Sequence, residues 1–445
     1  MRNSRIFRTS RNTGERLTEI GRPVEVPNAS GHAVRLSRDG RFQQIRGFGG
    51  AFTEASCHTL ARLPRRVRER VIEDYFDPRN GHGYVMGRLH INSSDFALES
   101  YNYVDNEDTS LESFDIAREN RWVIPTIKEA QAAAGSELTL LASPWSPPGW
   151  MKTNGEMTGG GRLLPEFRQT WADYLLRYVN EMNANNLRID MMTIQNEPEA
   201  TQIWDSCLYS GAEEATFVRD HLGPTLHRNG RKEIKLLIWD HNRDRVFDRA
   251  QAVLNDLEAA RYVWGVAHHW YVSEEFGNLS LVHAKFPDTH LIFTEGCQEG
   301  GVHLRAWHTG ERYGRNISGD LRNWVEAWLD WNLILDEDGG PNHVGNYCDA
   351  PLIADTHTGE VHHNSSYWYI GHFSRHVPPG SVRIGSTGEG EPEGLHHIAF
   401  LRPSGTIVAI AMNESDHDIT LDWVVDGKIY RCELPAHSII TVAEQ

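Results

Sequence analysis

Two glutamates, Glu197 and Glu295, stand where a chain would place carboxylates that do chemistry. The run Met192-Thr193-Ile194-Gln195-Asn196-Glu197-Pro198 is apolar until it ends in an amide, a carboxylate and a proline. Pro198 has no N–H to donate and cannot continue a central strand, so the pattern predicts a buried strand that presents Asn196 and Glu197 at its exit. Thr289-His290-Leu291-Ile292-Phe293-Thr294-Glu295-Gly296 has the same form: a β-branched and aromatic run, a carboxylate, and a glycine that releases the chain. Two lone carboxylates at two strand ends, if those strands share one sheet or barrel, can divide the cleavage of a glycosidic bond. One protonates the leaving oxygen and the other meets the oxocarbenium-like carbon.

Other segments fall in a definite order around this pair. They are Gly47-Phe48-Gly49-Gly50-Ala51, Asp95-Phe96, the stretch Ser143-Pro144-Trp145-Ser146-Pro147-Pro148-Gly149-Trp150-Met151-Lys152-Thr153-Asn154-Gly155, His269-Trp270-Tyr271, and Trp331-Asn332-Leu333 followed by Gly339-Gly340-Pro341-Asn342. With Gln195-Asn196-Glu197-Pro198 and Phe293-Thr294-Glu295 they resemble glycoside hydrolase family 30, the family of glucosylceramidase, from about residue 45 to about 380. Asn-Glu-Pro alone is shared by several barrel glycosidases; the ordered set is specific. The resemblance implies a retaining β-glycosidase in which Glu197 is the acid and later the base, and Glu295 the nucleophile. It places Arg88 beside the nucleophile, His269 and Tyr271 near it, and Asn196 against the sugar 2-hydroxyl. It also lines the sugar pocket with Asp95, Trp145, Trp331 and Asn346, a sensible set, because carboxylates and amides bind hydroxyls while indole faces pack on the C–H faces of a pyranose. Trp270, between two pocket residues on a strand, is expected to point into the wall.

The elements that must position these residues are legible in outline. Apolar runs at 45–52, 84–91, 138–144, 189–195, 234–239, 263–268, 290–294 and 328–333 alternate with helical patterns, clearest at 166–184 and 244–258. Eight such units are the count for a (β/α)8 TIM barrel, with Glu197 ending strand four and Glu295 strand seven. From about residue 366 the pattern is strand after strand, an antiparallel β-sandwich side domain that the first forty residues are expected to join. The division expected is therefore 1–43 with the side domain, 44–365 as barrel, and 366–445 as side domain again. Asp39-Gly40 reads as a hairpin turn, and the stretch 385–394, rich in Gly and Glu, as a mobile loop.

Composition narrows the class. With 44 Lys and Arg against 61 Asp and Glu the net charge is −17, which argues against nucleic acid or an anionic membrane surface as partner. No run is long and apolar enough for a signal peptide or a membrane span, so a cytoplasmic chain with no obligatory membrane is expected. Five cysteines without zinc-like spacing read as reduced thiols. Cys297, two residues after Glu295, is a weak rival nucleophile beside a carboxylate that already fits. The pairs His268-His269, His362-His363 and His396-His397 send adjacent side chains to opposite faces, so no metal is expected, and no cofactor is expected because side chains alone can supply protonation and covalent catalysis.

After Glu197 the chain departs from glucosylceramidase: Thr201-Gln202-Ile203-Trp204-Asp205-Ser206 runs on without the corresponding loop, which puts a ceramide leaving group in doubt and makes Trp204 and Asp205 candidates for leaving-group contacts. The reading is a retaining, exo-acting β-glycosidase acting on small or oligosaccharide β-glucosides. Rival substrates are β-xylosides, β-1,6-glucans, β-galactosides or glucosylceramide. The rival of another kind is a catalytically silent carbohydrate-binding protein, against which the presence of both carboxylates counts.

Overall fold

A computed structural model of the chain describes residues 1, 3–388 and 390–445. The eight apolar runs become one closed barrel of parallel strands whose order around the barrel follows the chain. Strands one to eight are Gly47–Ala51, Met86–Ile91, Thr139–Pro144, Ile189–Thr193, Lys235–Asn242, Val263–His269, His290–Glu295 and Val325–Asn332. Met86, Leu141, Met191, Leu237, Ala267, Ile292, Ala327 and Leu329 meet inside as one buried cluster, so the middle of the barrel is core and the working groups are confined to its ends. Strand one contributes no bulk there. A Cβ on Gly49 would lie 2.2 Å from the Met86 carbonyl oxygen, so only glycine lets the first two strands pair so closely.

Helices cover the outside, among them Arg168–Ala184 after strand three, Val246–Leu254 after strand five, Trp307–Arg322 after strand seven and Ser365–Ser374 after strand eight. The long helix expected over 244–258 is broken: Asp256 accepts the N–H groups of Glu258 and Ala259 and caps a separate turn, Leu257–Ala260. Between strand eight and its helix the chain makes an excursion that its pattern did not announce, a small sheet of Ile334–Asp336, Leu352–Asp355 and Glu360–His363.

The side domain is a ten-stranded, largely antiparallel sheet folded on its own core, in which Val34, Ile384, Leu421, Trp423 and Ile440 are fully buried. The first forty residues do join it: Arg5–Ser10 pairs with Ser438–Ala443, and Val24–Val26 with Lys428–Leu434. Asp39-Gly40 makes no hairpin. One strand, His32–Gln44, runs through it, and the partner register jumps from Arg41 opposite Ile384 to Ser37 opposite Gly385, a bulge that absorbs the extra residues. Neither Asp39 nor Gly40 has the positive φ that a two-residue type I′ turn requires. This strand pairs antiparallel with Val382–Gly388 on one side and parallel with Ile419–Val425 on the other. Residues 385–388 of the expected loop thus belong to a strand, and Glu389 lies outside the described residues. Gln43 ties the two domains, its amide donating to the carbonyls of Leu321 and Val325 at 2.6 and 3.0 Å. Among the described residues no helix is long and apolar enough to cross a membrane.

Candidate active site

Arg88, on strand two, organises the C-terminal mouth of the barrel. It is fully buried, and four of its five donors are spent on four partners. Nη1 pairs with Glu295, Nη2 donates to Asn196 Oδ1 and Asp240 Oδ2, both at 2.9 Å, and Nε donates to Ser143 Oγ at 3.2 Å. A planar fork of this kind fixes carboxylates from strands five and seven and an amide from the exit of strand four in one frame. Tyr271 completes the hold on Glu295, its hydroxyl donating to Oε1 at 2.9 Å.

Asp240 is the residue that sequence reasoning missed. Alternation along strand five, with Leu237 inward and Ile238 outward, would send Asp240 into the helical layer. Instead the pairing register with strand six slips between Ala267 and His268, and Trp239 and Asp240 take φ of 73° and 53°. This bulge lays Trp239 under Arg249 and turns Asp240 inward. There its carboxylate accepts from Arg88, from Thr193 and Thr294 at 2.7 and 2.6 Å, and meets His269 Nε2 at 2.9 Å. Burial alone would raise its pKa, but Arg88 and His269 outweigh burial and hold the carboxyl far below the ordinary range. The signal was available: Ile238-Trp239-Asp240 is a third apolar run ending in a carboxylate.

His269 joins Asp240 to Glu197, with Nδ1 3.3 Å from Glu197 Oε1. Burial opposes its charge, but Glu295, Asp240 and Glu197 together raise it to about 9. Burial likewise pushes the Glu197 carboxyl up, and the His269 hydrogen bond and nearby His241 more than cancel this, holding it below the ordinary value. In the sugar-free site the pair therefore carries one exchangeable proton, resting on His269 and one hydrogen bond from Glu197. Glu197 itself has φ of 46°, the strained exit that Pro198 follows.

The remaining expected residues converge on a pocket of about 240 Å³ that both glutamates line. Asp95, Trp145, Asn196 and Trp331 form its floor, none more than 5% exposed, and Tyr271 and Asn346 stand beside them. Asn342 and Asn346, brought in by the excursion after strand eight, donate to Asp95 Oδ2 at 3.3 and 2.9 Å. The two indoles stack on each other, centroids 5.3 Å apart, with the Arg88 guanidinium over both rings, so each has only part of its surface left for a sugar. Trp270 packs edge-on to Phe293, Tyr313 and Trp328 in the barrel wall. Asp205 does not reach the pocket: it is fully buried, accepts from Ser100 Oγ at 2.9 Å, and pins the loop through a bridge from Thr158. Trp204 does line the pocket. One oxygen or nitrogen from each of Glu197, His269 and Glu295 comes within 4.8 Å of the others, which is ligand-like spacing. Arg88 against Glu295 and the cationic His269 supply the positive charge that a metal would bring, so the group needs no ion for balance.

A parallel eightfold barrel whose fourth and seventh strands deliver two carboxylates to one pocket is the architecture of a barrel glycosidase. The comparisons agree and specify the family. The glycosyl hydrolase family 30 TIM-barrel domain matches residues 45–377, and the family's beta sandwich domain matches residues 380–442. The chain is 34% identical to the lysosomal acid glucosylceramidase of Mus musculus over 88% of its own length and 79% of that protein's. The crystal structure of SrfJ from Salmonella typhimurium superposes with a TM-score of 0.95 at 31% identity, covering 99% of each chain. The endo-beta1,6-glucanase BT3312 superposes at 0.89 with 26% identity, again over 99% of each. The chain belongs to glycosyl hydrolase family 30 and is a glycoside hydrolase.

Proposed function

We propose that the protein is a retaining, exo-acting β-glucosidase that works by double displacement on Glu295 and Glu197. The observation that carries this reading is the spacing of the two carboxylates, whose oxygens come within 4.8 Å of each other. Retaining enzymes hold the pair about 5 to 5.5 Å apart, while inverting enzymes need roughly 6.5 to 9.5 Å to admit a water between them. Similarity to a protein named a glucosylceramidase and to a solved structure named an endo-beta1,6-glucanase supports glucose as the sugar bound. The closed floor of Asp95, Trp145, Asn196 and Trp331 supports capture of a chain end.

In this mechanism Glu295, held by Arg88 and Tyr271, attacks the anomeric carbon while Glu197 protonates the departing oxygen. The proton comes from the Glu197–His269 pair, passing across their hydrogen bond as the leaving oxygen gains charge. Glu197 then deprotonates the water that releases the sugar from Glu295. Asn196 meets the 2-hydroxyl, and Asp95 with Asn346 takes a neighbouring pair of hydroxyls. Side chains alone supply acid, base and nucleophile.

The test replaces each glutamate by alanine and adds azide with an activated aryl β-glucoside. Without Glu197 the aryl group still leaves, the glycosyl-enzyme waits for a base, and azide attacks it to give the β-azide. Without Glu295 azide attacks the substrate directly from the opposite face and gives the α-azide. Swapped anomers would reverse the roles, and an inverted sugar from the wild-type enzyme would exclude the mechanism.

A further inference from the structure

The reaction proposed above leaves the far side of the scissile bond without an occupant. That side is marked by the acid, because the group that Glu197 protonates must depart past it. His241 Nε2 lies 3.9 Å from Glu197 Oε1, and the next residue, Asn242, closes the pocket wall there. Asn242 is 8% exposed. Its Oδ1 accepts the Tyr271 N–H at 2.8 Å, which fixes the orientation of the amide, since a backbone N–H can be met only by the oxygen. The amide nitrogen then has no protein acceptor among the described residues and opens onto the cavity. A rigidly held donor at the cavity wall, left without a protein partner, is poised for an acceptor on a ligand.

The surroundings say what kind of ligand. Unlike the floor, the rim is open: Glu299, with a side chain 48% exposed, and half-buried Gln202 and Trp204 line the same pocket. Arg312 holds one Glu299 oxygen at 2.8 Å and leaves the other free to accept. The rim thus offers a donor, an acceptor, an amide that is both, and one indole. Hydroxyls that donate and accept around an apolar C–H face match that set; two alkyl chains do not. Ile203, the other large apolar residue of this loop, is 71% exposed and outside the pocket lining.

We infer that Asn242, with Gln202, Trp204 and Glu299, forms a subsite that reads the hydroxyls of a second sugar, so that the group released is a saccharide and not a lipid. This rests on the glycosidase reading above. The same subsite governs the reverse use of the intermediate: an acceptor sugar hydroxyl forms the new bond to the anomeric carbon, the ester bond to Glu295 breaks with its electrons, and the hydroxyl proton passes to Glu197.

The experiment uses the wild-type enzyme and Asn242→Ser on three substrates, an aryl β-glucoside, β-linked glucose disaccharides and glucosylceramide in detergent micelles. The wild type is expected to prefer a disaccharide over glucosylceramide in kcat/KM. In the variant the ratio of disaccharide to aryl glucoside kcat/KM is expected to fall about tenfold, the loss of one well-placed hydrogen bond and the disorder that follows. Should the variant not fold, the wild type alone decides: with aryl glucoside as donor and glucose or octanol as equimolar acceptors, the sugar-transfer product is expected to dominate. Faster turnover of glucosylceramide, an unchanged ratio in a folded variant, or a dominant octyl glucoside would each overturn the inference while leaving the glycosidase reading intact. Inactivity on every substrate would instead fall on that reading.

Discussion

Replacing Asp95 by asparagine is expected to stabilise the protein and disable it together. Asp95 is 4% exposed on the pocket floor. Burial, with Glu295 and Glu197 adding their repulsion, raises its pKa to about 7 against the donors Asn346 and Asn342. A raised folded value means that the folded chain holds this proton more tightly than the unfolded chain. The favourable contribution is complete below the ordinary value of 3.8, shrinks as pH rises, and is lost above about 7. At about 1.4 kcal/mol per pH unit, ionising Asp95 in the empty pocket costs the fold on the order of 4 kcal/mol. Asparagine carries no such cost and its oxygen can still accept from both neighbours, though a neutral acceptor binds them less strongly. The net gain at pH 8 is about 2 kcal/mol, or roughly 2 °C in Tm for a chain of this length. At pH 5 the gain should nearly vanish. Activity should move the other way: a charged acceptor for two sugar hydroxyls is lost, and kcat/KM for an aryl β-glucoside should fall about a hundredfold. Thermal unfolding at pH 5 and pH 8, with kinetics on the same samples, checks both halves. A variant less stable than the wild type at pH 8, or equally stabilised at both pH values, would refute the electrostatic reasoning.

Other consequences follow from the same geometry. Asp240→Asn leaves the buried Arg88 short of a counter-charge and should cost about 3 to 5 kcal/mol of stability. It should also move the alkaline limb of kcat/KM, set by the His269–Glu197 pair near pH 9, to lower pH, because one of the anions that raise His269 is gone; an unmoved limb would show that Asp240 is only structural. Trp331→Ala should lose kcat/KM while unfolding stays cooperative, since the indole sits at the pocket rather than in the barrel core, and loss of a cooperative transition would contradict that placement. A soluble β-glucan should release monosaccharide without an early fall in viscosity; viscosity loss running well ahead of sugar release would reveal an open cleft in place of a closed pocket.

The sequence by itself determined the architecture and the two glutamates, because both are written in local pattern. A buried parallel strand needs an unbroken apolar run and a stop, and Pro198 and Gly296 supply stops directly after the carboxylates. Eight such runs leave little choice but a barrel. What only the tertiary structure decided lies where local rules are broken or where distant segments meet. The bulge that turns Asp240 inward depends on how strand five slips against strand six, and no periodicity within strand five encodes it. Asn342 and Asn346 reach Asp95 across some 250 residues of chain, on an excursion whose short strands look like ordinary loop. Asp205 reads as a pocket residue from its place after Glu197, yet burial and Ser100 claim it for the loop. The charge states of His269 and Glu197 belong to neither residue alone. They arise from five acidic and basic groups, on strands five to seven and at the exit of strand four, crowded into one small, poorly hydrated space, where each sets the field felt by the others.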